Sequence, residues 1–199
     1  MTVMLPPYAQ FQTWFAEAQQ SEPSDPNAMT VATATPQGRP AARTLLLKGV
    51  DNDGAGPGFV FFTNLESRKG QELDANPHAA LLFYWKSLRR QVRIEGPVSR
   101  VSAAEADAYF TTRPRLSRIG AHASLQSRPL PSRAVLEERV AALEQRWPGE
   151  DIPRPAHWCG LRLLPERFEF WQEMPYRLHE RTVWTPDGMA GWRAETLYP

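Results

Sequence analysis

The sequence predicts an α+β fold, a largely antiparallel β-meander or β-barrel with inserted helices, and three observations carry that prediction. Residues 29 to 100 alternate short apolar runs with turns rich in Gly, Pro and Asn. Other stretches repeat apolar residues every three or four positions, the spacing of an amphipathic helix. The chain has 199 residues, 42% hydrophobic and 23% charged, enough for one domain around one well-buried core.

In chain order, Tyr8, Phe11, Trp14, Phe15 and Ala18 share one face, which predicts a helix over about residues 7 to 20. The two prolines of "SEPSDPNA" end it. "MTVATA", the turn "TPQGRP", "ARTLLLKGV", the loop "DNDGAGPG" and "GFVFFTN" read as successive strands and turns. Ser67 is placed to cap a short helix over 68–75, which "NP" at Asn76-Pro77 closes. "AALLFYWK" and "RQVRIEGPVSRVS" are two more strands, and Ser102 with Glu105 forms a capping box for the next helix. A loop is expected from Arg113 to Pro131. Leu136, Val140, Leu143 and Trp147 then mark a further helical face. "HWCGLRLLPERFEFWQ" returns to strand, and a hairpin turning at Pro186-Asp187-Gly188 ends the chain. The count is about six to eight mostly antiparallel strands. Residues 1–199 are read as a single domain, with 1–26 an N-terminal helix and linker and 157–199 a C-terminal strand and hairpin that complete the barrel.

Several kinds of chemistry are disfavoured. The 23 Lys and Arg nearly balance 22 Asp and Glu, so no global field draws the protein to nucleic acid or a membrane. His78, His122, His157 and His179 are scattered and Cys159 is the only cysteine, so no metal site and no internal disulfide are expected. Cys159 beside Trp158 on a strand reads as core packing rather than as a nucleophile. The Walker A, GxGxxG and GxSxG signatures do not occur. The first residues show no basic region followed by an apolar run, and no stretch approaches the length of a membrane span, so a cytoplasmic protein is expected.

The cations point to an anion. In "FFTNLESRKG", Ser67, Arg68 and Lys69 gather where a strand ends and a helix begins, although a helix start already favours negative charge. Arg43 and Lys48 bracket "TLLL". Arg113, Arg115, Arg118 and Arg128 fall in the expected loop, and Arg177, His179 and Arg181 cluster near the end. Singly these suit solvated surface charges. Together, all at element edges, they suit a site for a phosphorylated ligand. By strand parity Arg43 and Lys48 should face opposite sides. The seven tryptophans either fill the core or supply faces for an aromatic ligand.

"RTLLLKG", "FFTNLESRKG", "RQVRIEG", "YFTTRPRLSRIGAHAS" with the following "QS", and "FWQ" with "RLHER", in this order, resemble the pyridoxamine 5′-phosphate oxidase family over Asn27 to Pro199. The resemblance implies a homodimeric FMN-binding split β-barrel, with two FMN molecules at the subunit interface. It implies oxidation of pyridoxine or pyridoxamine 5′-phosphate to pyridoxal 5′-phosphate in vitamin B6 metabolism. Oxygen is the acceptor, giving hydrogen peroxide, with ammonia released from the amine.

Carried over, Arg43, Thr44, Leu45, Leu46, Leu47 and Lys48 form an FMN-binding segment. Phe62, Thr63, Arg68, Lys69, Gln91, Gln126, Ser127, Trp171 and Arg181 are further FMN contacts. Lys48, Tyr109, Arg113 and Ser117 are expected to meet the substrate phosphate. Arg177, Leu178 and His179 are expected to bind substrate, with Arg177 and His179 catalytic. The family commonly has Tyr at Phe62, Gly at Glu173 and Cys159, and Asp at Glu180. A phenazine-type flavoprotein oxidase, or a non-catalytic flavin or pyridoxal phosphate binder, is the alternative reading.

Overall fold

Pro7 occupies the first position of helix α1 (Pro7–Ser21), where its missing N–H costs no helical hydrogen bond. No side chain caps this start, so packing has to anchor the helix. Phe11 does so, fully buried and edge-on to Phe59 at 4.9 Å and Phe83 at 5.2 Å. Burying such a ring contributes roughly 1.5–3 kcal/mol.

The computed structural model describes residues 6–52, 57–188 and 191–199. Strands β1 (Ala28–Ala34), β2 (Pro40–Leu46), β3 (Gly49–Asn52) and β4 (Pro57–Asn64) lead into helix α2 (Arg68–Ala75). Strands β5 (His78–Trp85) and β6 (Arg90–Arg100) follow, then helices α3 (Ala103–Thr111), α4 (Arg115–Ala123) and α5 (Arg133–Arg146). Strands β7 (Trp158–Leu163), β8 (Arg167–Gln172), β9 (Glu180–Pro186) and β10 (Trp192–Thr196) close the chain.

Every pairing between these strands is antiparallel, along the path β10-β9-β8-β6-β5-β1-β2. β6 belongs to both halves of the split barrel. Its residues Arg90–Glu95 pair with β8, while Val98–Arg100 pair with β7, which pairs on to β4 and β3. Gly96 sits at the switch, where a Cβ would come within 1.9 Å of the Leu164 carbonyl oxygen. Only glycine lets the two halves approach this closely.

The structure differs from the sequence reading in three places. Among the described residues there are ten strands, because "ARTLLLKGV" divides after Leu46 and "HWCGLRLLPERFEFWQ" divides around Leu164–Glu166. The stretch expected as a loop from Arg113 to Pro131 contains α4, whose Ile119 and Ala123 are buried. Its Arg, Ser and Gly content hides the apolar face. Residues 53–56 of the expected loop "DNDGAGPG" lie outside the described residues, and the described ends of that stretch belong to β3 and β4. The final hairpin turns as expected, with Gly188 at φ +63° and Asp187 N–H donating to the Gly191 carbonyl.

Gly70, in the first turn of α2, has no room for a side chain. A Cβ there would sit 2.2 Å from the Leu65 carbonyl oxygen and 2.6 Å from Leu65 Cα, both backbone atoms. Gly70→Ala is therefore expected to cost about 3 kcal/mol, the upper end for overpacking. Urea denaturation of the variant checks this, through a lower midpoint at unchanged slope.

Candidate active site

β4 delivers the chain into α2 through Asn64 and Ser67, and this junction builds the first cation cradle. Ser67 is fully buried. Its Oγ donates to the Asn64 carbonyl at 2.6 Å and accepts from Gly70 N–H at 3.3 Å, capping the helix as the sequence predicts. It also accepts from Lys69 Nζ at 3.2 Å, and that ammonium donates to Gln126 Oε1 at 2.7 Å. Lys69 is only 7% exposed. Burial, helped by the nearby Arg43 guanidinium, pulls its pKa down to about 8.

Beside this cradle lie two adjoining cavities. One, about 380 Å³, is lined by Leu45, Thr63, Gln126 and Ser124 among others. The second, about 430 Å³, is lined by Leu46, Lys48, Tyr109 and Thr112. Phe62, Arg113, Ser117 and Trp158 line both. The shared wall is a near-parallel aromatic stack, with Phe62 4.0 Å from Tyr109 and 5.0 Å from Trp158. Arg113 lies over Trp158 at 4.8 Å, and Lys48 Nζ lies 6.0 Å from the Tyr109 ring. Lys48, Lys69 and Arg113 have no carboxylate partner among the described residues.

Two buried polar atoms here lack a hydrogen-bond partner among the described residues: Thr63 Oγ1 and Arg113 Nη1. Burial lowers the Arg113 pKa, partly offset by Tyr109, but guanidinium holds its charge at neutral pH. An unsatisfied buried donor costs about 1–3 kcal/mol. A cavity with donors, spare positive charge and no carboxylate is suited to an anion. A flavin mononucleotide, with its phosphate and hydroxyl-bearing chain, fits this donor set.

Most of the other cations of the sequence reading are already matched. Arg115 bonds Glu144, Arg118 bonds Glu150, and Arg128 bonds Glu66. Arg43 projects from β2 toward α2 and bonds Glu72, while Lys48 lies beyond the strand end. The parity argument therefore does not reach Lys48, because β2 stops at Leu46. Within this segment Leu47 is buried in the core, and Thr44 is exposed on β2, the last strand of the path.

A second group forms on the open face of the sheet. Gln91, Trp171 and Arg181 are cross-strand neighbours on β6, β8 and β9. Glu169, 3% exposed, accepts from Arg181 Nε at 2.9 Å and Nη2 at 2.6 Å, and also from Arg93. Arg181 Nη1 donates to the Tyr198 carbonyl at 3.1 Å, which ties down the C-terminal segment. Trp171 packs against His179 at 4.7 Å, and His179 Nδ1 accepts from Met174 N–H at 3.2 Å. Tyr176 and Arg177 both have positive φ, 59° and 62°, an uncommon backbone for two consecutive non-glycine residues.

Arg177 and Leu178 are exposed. Of this second group, none lines the two cavities of the first. Gln126 reaches the first group through Lys69, and Ser127 beside it is exposed with φ 71°. Glu72 and Glu169, which hold Arg43, Arg68 and Arg181, were not singled out from sequence; only their burial reveals them.

The curled antiparallel sheet defines a split-barrel protein, and its paired cavities suit phosphorylated ligands. Residues 15–147 match the family model described as pyridoxamine 5′-phosphate oxidase. Residues 158–199 match the pyridoxine 5′-phosphate oxidase C-terminal dimerisation region. The pyridoxine/pyridoxamine 5′-phosphate oxidase of Gluconobacter oxydans is 64% identical over 97% of this chain and 94% of its own. That of Rhodospirillum rubrum is 60% identical over 97% and 96%. Among solved structures, PhzG from Burkholderia lata, in complex with tetrahydrophenazine-1-carboxylic acid, superposes with a TM-score of 0.90 at 31% identity. The match covers 100% of this chain and 95% of that one. The chain belongs to the pyridoxamine 5′-phosphate oxidase family, whose enzymes are FMN-dependent oxidoreductases.

Proposed function

We propose that this protein oxidises pyridoxine 5′-phosphate and pyridoxamine 5′-phosphate to pyridoxal 5′-phosphate, with FMN as cofactor and oxygen as acceptor. The alcohol and oxygen give the aldehyde and hydrogen peroxide; the amine also consumes water and releases ammonia. The observation that carries this reading is the cation pocket shared by two adjoining cavities, with Arg113 Nη1 buried and unpartnered between them. One phosphorylated ligand needs one such pocket; two adjoining cavities suit a phosphorylated cofactor and a phosphorylated substrate.

Lys48, Tyr109, Arg113 and Ser117 bind the substrate phosphate in this reading, and Phe62, Thr63, Arg68, Lys69 and Gln126 hold the cofactor's phosphate and chain. FMN, when bound, accepts the two electrons that the substrate loses. Trp171, Gln91 and Arg181 flank the flavin, while Arg177 and His179 orient the substrate ring. The family's C-terminal dimerisation region supports a homodimer. In it the open sheet face of one subunit brings Trp171, Arg177 and His179 to the cavities of the other, so each site draws on both chains. The enzyme works in the cytoplasm as one domain per subunit. The fixed phosphate ends orient the reacting carbon, which is worth more here than any acid or base on the protein.

PhzG's likeness keeps a phenazine-type oxidase as the rival. The pocket cations speak against it, since an unphosphorylated substrate leaves Lys48 and Arg113 unmatched. The visible spectrum of the purified protein, followed by incubation with each vitamer phosphate in air, tests the proposal. A flavin spectrum with pyridoxal 5′-phosphate and peroxide in equal amounts is the expected result. A flavoprotein inert toward both vitamers would overturn it.

A further inference from the structure

We infer that Glu72 is a positioning residue that aims two arginines at the cofactor phosphate, an inference that rests on the FMN reading above. Glu72 projects from α2, one turn beyond Lys69, and is 6% exposed. Its Oε1 accepts from Arg68 Nε at 2.8 Å. Its Oε2 accepts from Arg43 Nη2 at 3.2 Å and from the Thr33 hydroxyl. Thr33 Oγ1 in turn accepts from Arg43 Nη1 at 2.6 Å, and the Val31 carbonyl accepts from the same nitrogen at 3.1 Å, so Glu72 holds Arg43 directly and through Thr33 while the β1 backbone steadies it. Burial pushes the Glu72 carboxyl upward. The hydrogen bonds from Thr33, Arg68 and Arg43 outweigh that and hold it below the usual carboxylate range, so it is ionised at neutral pH.

The geometry assigns different tasks to the two arginines. Arg68 is gripped at Nε alone among the described residues, which leaves its two terminal nitrogens as a fork for an anion. Arg43 stays near enough to Lys69 to depress the ammonium's pKa, so its charge reaches the same place. Arg43 and Arg68 grip one buried carboxylate and Lys69 stands within reach of Arg43's charge, which leaves a local surplus of positive charge, and Glu72 keeps the two arginines from spreading apart.

The sign of the effect separates this role from a plain ion pair. Considered only as a charge, Glu72 repels a phosphate, so Glu72→Gln would tighten FMN binding. As the residue that aims Arg43 and Arg68, its loss weakens FMN binding but leaves riboflavin, which has no phosphate, unaffected. The experiment is titration of the apoprotein with FMN and with riboflavin, read by quenching of flavin fluorescence. Wild type, Glu72→Gln and Thr33→Val are compared, the last breaking the link from Glu72 to Arg43 through Thr33 without altering charge.

The FMN-to-riboflavin affinity ratio is expected to fall at least about tenfold in Glu72→Gln and about threefold in Thr33→Val. A ratio unchanged or raised in the variants, with a large ratio in wild type, overturns the positioning role while keeping the cofactor site. If Glu72→Gln does not fold, Thr33→Val alone decides. A wild type that binds both flavins equally would instead sink the phosphate reading itself.

Discussion

Arg113→Met is expected to raise KM for pyridoxine 5′-phosphate about a hundredfold and to leave turnover of unphosphorylated pyridoxine unchanged. Arg113 lines both cavities, and its buried Nη1 has no hydrogen-bond partner among the described residues. A charged hydrogen bond to phosphate contributes roughly 1.5–3 kcal/mol, and two can form from one guanidinium. Lys48 retains part of the attraction, which keeps the loss near 2.7 kcal/mol, or about a hundredfold. Methionine preserves most of the packing over Trp158, where the guanidinium now lies at 4.8 Å. The fold should survive and even gain stability, because an unsatisfied buried donor disappears. Steady-state kinetics with the phosphorylated and unphosphorylated alcohols decide the matter. An equal effect on both substrates would mean that Arg113 supports the cavity wall and does not read the phosphate.

The elements near this site were legible to different degrees. Ser67, its helix and the strand before it follow from local signals, since a capping serine between an apolar run and a polar turn has few other uses. α4 was hidden because Arg115 and Arg118 lie in a stretch that looks like a charged loop. Those arginines are in fact consumed by Glu144 and Glu150, far along the chain. The same long-range matching explains why the cation list was too generous: a sequence displays charges without their partners. Arg113 stands out only when its neighbours have been paired off.

The tryptophans divide in the same way. Trp85 and Trp184 are core residues, Trp158 is buried yet walls both cavities, and Trp171 lies half-buried on the open sheet face. Burial together with the cavity walls separates the two uses that spacing leaves open. The distance between the cavity group and the Trp171–His179 group could not be foreseen at all, because it depends on how the strands curl. No residue of the second group lines the cavities of the first, which is why the site proposed above draws on two chains.

Lys69 carries the other large effect, and its test is a pH profile. Its pKa in the free protein is about 8, held down by burial and then by Arg43. A bound phosphate favours the charged ammonium, so FMN binding takes up a proton whenever the free protein has lost it. Below pH 8 the affinity should be flat with respect to this group, and above it should fall by up to about tenfold per unit. The phosphate's own second ionisation is near pH 6, so it is already a dianion throughout that window. Lys69→Arg keeps its charge and should remove the alkaline fall, whereas Lys69→Met should weaken FMN binding about a hundredfold at pH 7.

Stability runs the opposite way. The unfolded chain holds the lysine proton up to its ordinary pKa, so below pH 8 the folded apoprotein bears the full cost of a buried cation. That cost is relieved as pH rises from about 8 toward the ordinary lysine value. Lys69→Met therefore should melt no lower than wild type as apoprotein at pH 7, yet gain less from added FMN. Thermal melts with and without FMN read both effects together. A Lys69→Met apoprotein that melts well below wild type would show that the ammonium's bonds to Ser67 and Gln126 outweigh its burial. The lysine would then be holding the fold together, and the cofactor would merely be using it.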